Sequence, residues 1–173
     1  MSATVSMSEK EELNANSQQS VSSEISALDV AKYLIGLAQQ DGKPITNLRL
    51  QKLLYYAWGT YWHQNREELF ADNIEAWPFG PVVRDVYIEY YNELDPKCVL
   101  NIEYKAFDEI KNKLCENIKN FLERFYEIYK KEDTWDLVDA THRERPWVEA
   151  YKENAKEIID RTTLRSFFEN EAF

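Results

Sequence analysis

The chain has 173 residues, about one domain's worth, and is 44% hydrophobic and 14% aromatic, enough apolar surface to build a core. Its formal net charge of -10 argues against direct nucleic-acid binding, and it suits a basic protein partner and a purely solubilising role equally well. Two cysteines (Cys98 and Cys115) and two histidines (His63 and His142), with no CxxC pair, leave a structural zinc site without ligands at usable spacing, so no metal or cofactor is expected.

Residues 1–26 are rich in Ser, Glu, Asn and Gln and hold no aromatic side chain. That is the composition of a disordered tail, with a short helix around Glu9–Leu13 as its one local pattern. The tail lacks the basic and apolar regions of a secretory signal. No apolar run approaches the roughly 18–20 residues that span a bilayer, so a cytoplasmic protein without membrane contact is expected.

Order is expected from about Ser26, and residues 27–173 read as a single domain. Ser26 and Asp29 are candidate caps for a helix carrying Leu28, Val30, Ala31, Leu34, Ile35 and Ala38, which Asp41-Gly42-Lys43-Pro44 stops. Thr46 or Asn47 caps a second helix, with Leu50, Leu53, Leu54, Ala57, Trp58 and Tyr61 at the spacing of a buried stripe. Leu48, Tyr56 and Trp62 widen the stripe, which makes this helix central; it should end near Asn65.

Ile74–Trp77 is the best strand candidate and opens a rigid elbow, Trp77-Pro78-Phe79-Gly80-Pro81. The two prolines fix φ, and Gly80 takes backbone angles closed to its neighbours. Pro81 suits the first turn of a helix over Val82–Tyr91, with Val86 facing inward. Asp95-Pro96 breaks the chain, and Cys98–Tyr104 is a connection with extended character. One long amphipathic helix is expected from Phe107 to about Lys131, because Phe107, Leu114, Phe121 and Ile128 recur every seven residues with Ile110, Ile118, Leu122 and Phe125 beside them. Thr134 or Asp133 caps a short helix over Trp135–Thr141, and Pro146 starts another. Residues 158–160 read as a short extended piece, and Leu164, Phe167 and Phe168 as a last helical turn capped by Thr162 or Thr163. The fold class is mainly α: a compact bundle of about six or seven helices, with minor extended structure around residues 74–78 and at 158–160.

No Gly-rich phosphate loop, GxSxG or HExxH is present, and no catalytic residue is assigned. His142 is read as a helix C-cap favoured by the helix dipole, ahead of a general base. Lys52, Arg143 and Arg145 are too few for a nucleic-acid footprint. Trp77, Phe79 and Trp147 fit a core role and an interface role equally well, because their proline-fixed settings hold large rings at low entropy cost.

Three segments recur as a set. Thr46-Asn47-Leu48-Arg49-Leu50-Gln51-Lys52-Leu53-Leu54-Tyr55-Tyr56-Ala57, then Glu75-Ala76-Trp77 with Gly80-Pro81-Val82, then Thr141-His142 with Pro146-Trp147, resemble the motifs of the Panacea antitoxin domain, in that family's order. The resemblance covers about residues 27–155. It departs at Arg145, where the family commonly has Gly before Pro-Trp. It implies a non-enzymatic antitoxin that neutralises a cognate toxin encoded nearby by direct binding, in a toxin–antitoxin hetero-oligomer; the alternative is an adaptor that delivers its partner to a protease. Partner contact is then expected at Trp77, Phe79, Gly80, Pro81, His142, Pro146 and Trp147, and core packing at Leu34, Leu50, Leu53, Leu54, Ala57, Trp58, Val86, Leu114, Phe121 and Phe125.

Overall fold

The computed structural model describes residues 25–170. Residues 1–24 of the expected tail, with the short helix at Glu9–Leu13, fall outside that range, whereas its last two residues are ordered: Ile25 packs against the core and Ser26 caps the first helix. Within it the chain is mainly α, with eight helices and one small sheet among the described residues.

Helix α1 (Ala27–Gln40) begins where its first turn can be satisfied. The Ser26 hydroxyl accepts from the Asp29 backbone N–H, and the Asp29 carboxylate accepts from the Ser26 N–H, a closed capping box. Helix α2 (Asn47–Asn65) is capped by Thr46, whose hydroxyl accepts from the Arg49 N–H, and it ends at Arg66 in the left-handed conformation. Every residue of α2 from Leu50 to Thr60 is buried, so this helix is the axis of the molecule. Helix α1 packs along it, and the other helices and the sheet close around the pair. Leu34, Leu50, Leu53, Leu54, Ala57, Trp58, Val86, Leu114, Phe121 and Phe125 are all buried. Each fully buried large aliphatic or aromatic side chain contributes about 1.5–3 kcal/mol of apolar transfer free energy.

Strands β1 (Glu75–Trp77) and β2 (Gly80–Val82) form an antiparallel hairpin across Pro78 and Phe79, and β3 (Glu157–Ile158) adds to the other side of β1. The helix expected over Val82–Tyr91 starts later: α3 is Arg84–Glu89. Val82 pairs with Glu75, and the Val83 N–H is taken by the Gln51 side chain at 2.9 Å, so the backbone stays extended through Val83. Pro81 is tolerated in β2 because β2 is an edge strand.

The single helix expected from Phe107 to Lys131 is two: α4 (Tyr104–Lys113) and α5 (Glu116–Tyr129). Leu114 turns extended at ψ 136° while its side chain stays buried. The bend lets Phe107 reach Tyr33 of α1, ring centroids 5.6 Å apart, while Phe121 packs edge-on against Tyr61 of α2 at 5.0 Å. Ile128, the last member of the seven-residue repeat, is exposed.

Helix α6 (Thr134–Thr141) is capped by Asp133, and α7 (Arg145–Ala150) carries Pro146 in its first turn. The last element is a full helix, α8 (Arg161–Asn170). Its first turn is capped by Asp160, whose carboxylate accepts from the Thr163 N–H at 2.8 Å, not by Thr162 or Thr163. Arg161 ties α8 to the segment before the sheet. Its guanidinium donates to the Ala71 and Asp72 carbonyls at 2.5 Å each and lies 3.2 Å from Glu68. The other glycine contacts are packing notches: a Cβ on Gly36 would collide with the Phe107 ring, and one on Gly59 with the Phe168 ring. No helix among the described residues is long and apolar enough to cross a membrane.

Candidate partner-binding site

The three sequence motifs meet at one buried side chain, Lys52. It stands on α2 with no solvent exposure, and its ammonium donates to the Pro81 carbonyl at 2.7 Å. Above it sits Gly80 at φ +96°, a conformation that L side chains rarely adopt; a Cβ there would lie 2.5 Å from Lys52 Nζ and 2.5 Å from Thr141 Oγ1. Burial pushes the Lys52 pKa down to about 7, and the Glu144 carboxylate pulls it back up. Glu144 in turn accepts from the hydroxyls of Tyr55 and Tyr56 at 2.7 and 2.8 Å. Burial, and then the charge of Glu144, push the Tyr56 pKa up strongly.

Gln51 does the neighbouring work. Its amide nitrogen donates to Asn47 Oδ1 at 3.0 Å while its oxygen takes the Val83 N–H. Asn47 then donates to the Tyr87 carbonyl at 2.9 Å. The polar side chains of α2 thus bind the elbow and the start of α3 from behind. Arg49 reaches the other way, donating to the carbonyls of Tyr129 and Glu132 at 2.8 Å each, where α5 ends and α6 begins.

From the outer side the elbow is held by the third motif. Trp147 Nε1 donates to the Trp77 carbonyl at 2.9 Å. The Trp147 ring lies between His142, centroids 4.2 Å apart, and Tyr151, 4.4 Å apart. His142 is the C-cap of α6. One of its ring nitrogens bonds the Pro78 backbone, and Nε2 is buried without a hydrogen-bond partner. Burial and the nearby Lys52 charge lower the His142 pKa. The Thr141 hydroxyl donates to the Val138 carbonyl at 2.7 Å, so its proton is committed to its own helix.

The residues expected to meet a partner therefore divide. Gly80, Pro81 and Pro146 are buried and shape the backbone. Trp77, His142 and Trp147 are half-buried. Trp77 donates to Glu75 at 2.7 Å, packs on Tyr87 at 4.8 Å, and carries Lys156 Nζ 3.8 Å from its ring centroid. Phe79 alone of the set projects outward, 58% exposed at the hairpin tip. Edge-on to it, 6.0 Å away, is Trp135 of α6, 56% exposed.

Trp135, Gln51, Lys52 and Glu144 were not among the expected site residues. Lys52 carried a signal: a lysine in a helix whose apolar stripe wraps most of its circumference must be buried and paired. Trp135 gave none, because its partner Phe79 is remote in sequence. Among the described residues no group of three or more His, Cys, Asp or Glu is placed to hold a metal.

Comparison with known proteins agrees with the motif set. Antitoxin SocA from Caulobacter vibrioides (strain NA1000 / CB15N) is 39% identical over 77 residues, 44% of this chain and 40% of that protein. The aligned stretch thus spans well under half of that curated relative. No solved structure matches the chain. The family model described as "Antitoxin SocA-like, Panacea domain" matches residues 50–148, more than half of the chain and all of the Lys52, Gly80 and Trp147 constellation, and the chain belongs to that family.

Proposed function

We propose that this protein neutralises a cognate toxin by binding it directly, with the elbow as the contact and no chemistry of its own. The observation that carries the reading is the placement of Phe79. Lys52, Gln51 and Trp147 clamp the backbone around it, and the ring itself stands free beside Trp135. Interface hot spots favour large aromatic side chains that lose little entropy on binding, and a preorganised hairpin tip meets that condition. Family membership supplies the class of partner: a relative carries the name antitoxin. Lys52 is no candidate base, since the elbow covers it completely.

The test is inhibition of the toxin encoded beside this chain, in a purified mixture without protease. Wild type should inhibit, and Phe79→Ala with Trp135→Ala should lose inhibition while melting as wild type does. Inhibition that appears only when a protease is added would overturn direct binding in favour of the adaptor reading.

A further inference from the structure

A sizeable cavity among the described residues lies away from the elbow. It lies between α2, α5 and α6, with a volume of about 510 Å³. Its floor is an aromatic run: Phe125 stacks on Tyr129 at 4.4 Å, and Tyr129 on Tyr56 at 5.4 Å. Ile128 stands on its rim, 64% exposed, although it continues the stripe that buries Phe121 and Phe125. A second hollow shares Gln64, Phe121 and Arg124 with the first and extends it to Glu67, so the two form a groove along α2 and α5.

We infer that this groove receives an amphipathic helix of the toxin, apolar on one face and basic on its flanks. The inference rests on the direct-binding reading above and names the part of the partner that is recognised. Three features choose the occupant. The groove walls are helices, whose backbone groups are bonded within themselves, so an extended peptide finds no strand edge to pair with. The floor offers rings and an isoleucine, the surface that i, i+3, i+4 and i+7 anchors of a helix fill. Glu144 is committed to Tyr55, Tyr56 and Lys52, so the remaining charged lining is Glu67 and Glu132 against Arg124, on a chain of net charge -10, which attracts basic flanks and repels acidic ones. Helix α6 joins the two surfaces: Leu137 and Ala140 line the groove while Trp135, at its start, meets Phe79.

The test titrates the whole protein with two synthetic helical peptides of one leucine pattern, flanked by lysines in one and glutamates in the other, and follows the amide resonances. The lysine peptide should shift Gln64, Ile128 and Ala140. The glutamate peptide should bind roughly tenfold or more weakly, and Ile128→Arg or Ala140→Arg should weaken the lysine peptide by a similar factor at unchanged melting temperature. Shifts scattered over the acidic surface, or binding indifferent to both arginines, overturn the groove. The neighbouring toxin separates the two readings. If wild type binds it and Ile128→Arg binds it as tightly, the groove assignment falls and direct binding stands. If wild type does not bind it at all, direct binding falls and takes the toxin helix with it.

Discussion

Lys52 Nζ lies 2.7 Å from the Pro81 carbonyl oxygen, inside the protein and under a glycine that leaves it room. An ammonium in this position ties the central helix to the elbow by a hydrogen bond that no solvent competes for. It also carries a desolvation cost, which makes the fold sensitive to proton concentration.

The folded Lys52 titrates near 7, against 10.5 for an ordinary lysine. Below about pH 7 folded and unfolded chains both hold the proton, and the cost of the buried charge is complete. Between about 7 and 10.5 the unfolded chain holds more protons, so stability rises with pH. Tyr90, Tyr126 and Tyr129, raised by burial to about 12 from 10.0, act oppositely above pH 10, where their unfolded forms ionise first. Wild type should therefore gain stability over Lys52→Met as pH climbs from about 7 to 10. Denaturation at several pH values measures the difference; a constant gap would show that Lys52 keeps its proton throughout.

Gly80→Ala combines a backbone angle unsuited to alanine with a Cβ 2.5 Å from Lys52 Nζ and Thr141 Oγ1. A loss on the order of 2–4 kcal/mol is expected from strain and overpacking together. Urea denaturation of the variant checks it.

Trp77→Ala and Phe79→Ala should behave differently although only Pro78 separates them. Trp77 is held by Glu75, Tyr87 and Lys156, so its truncation should lower the melting temperature as well as toxin binding. Phe79 is exposed, and its truncation should change stability by no more than about 0.5 kcal/mol while binding is lost. Equal melting temperatures for the two variants would contradict this assignment. Trp147→Phe, which keeps the ring but drops the donor to the Trp77 carbonyl, should cost about 1–2 kcal/mol.

Leu54 is fully buried in α2, and Leu54→Ala should cost about 2–5 kcal/mol by lost transfer and residual cavity. Thermal denaturation followed by circular dichroism reads it.

What the sequence could disclose followed its local physics. Ser26 with Asp29, and Thr46, declare helix starts because caps act within a few residues. Leu114 hid the break between α4 and α5: a buried side chain keeps the seven-residue spacing whether its backbone is helical or extended, and no Pro or Gly marks the place. The start of α3 was misplaced because Pro81 favours a helix locally, while Gln51, thirty-two residues from Val83, holds the strand open. At the candidate site the three motifs mark segments that the fold packs together around Lys52 and the elbow. They could not separate the buried backbone-shaping residues, Gly80, Pro81 and Pro146, from the outward ring of Phe79, because proline and glycine are placed for backbone shape and exposure is decided by distant elements.

The notch at Gly59 bears on where this domain can be cut. Phe168 fills it from a helix that begins after the family match ends at residue 148, and Arg161 fastens that helix to Ala71 and Asp72. A fragment trimmed to the matched boundaries would open an aromatic slot along its central helix and present a sticky seam to its own copies. Fusion joints and truncations belong beyond Asn170, and a short version of this domain should be judged by its tendency to self-associate before any loss of toxin binding is blamed on the elbow.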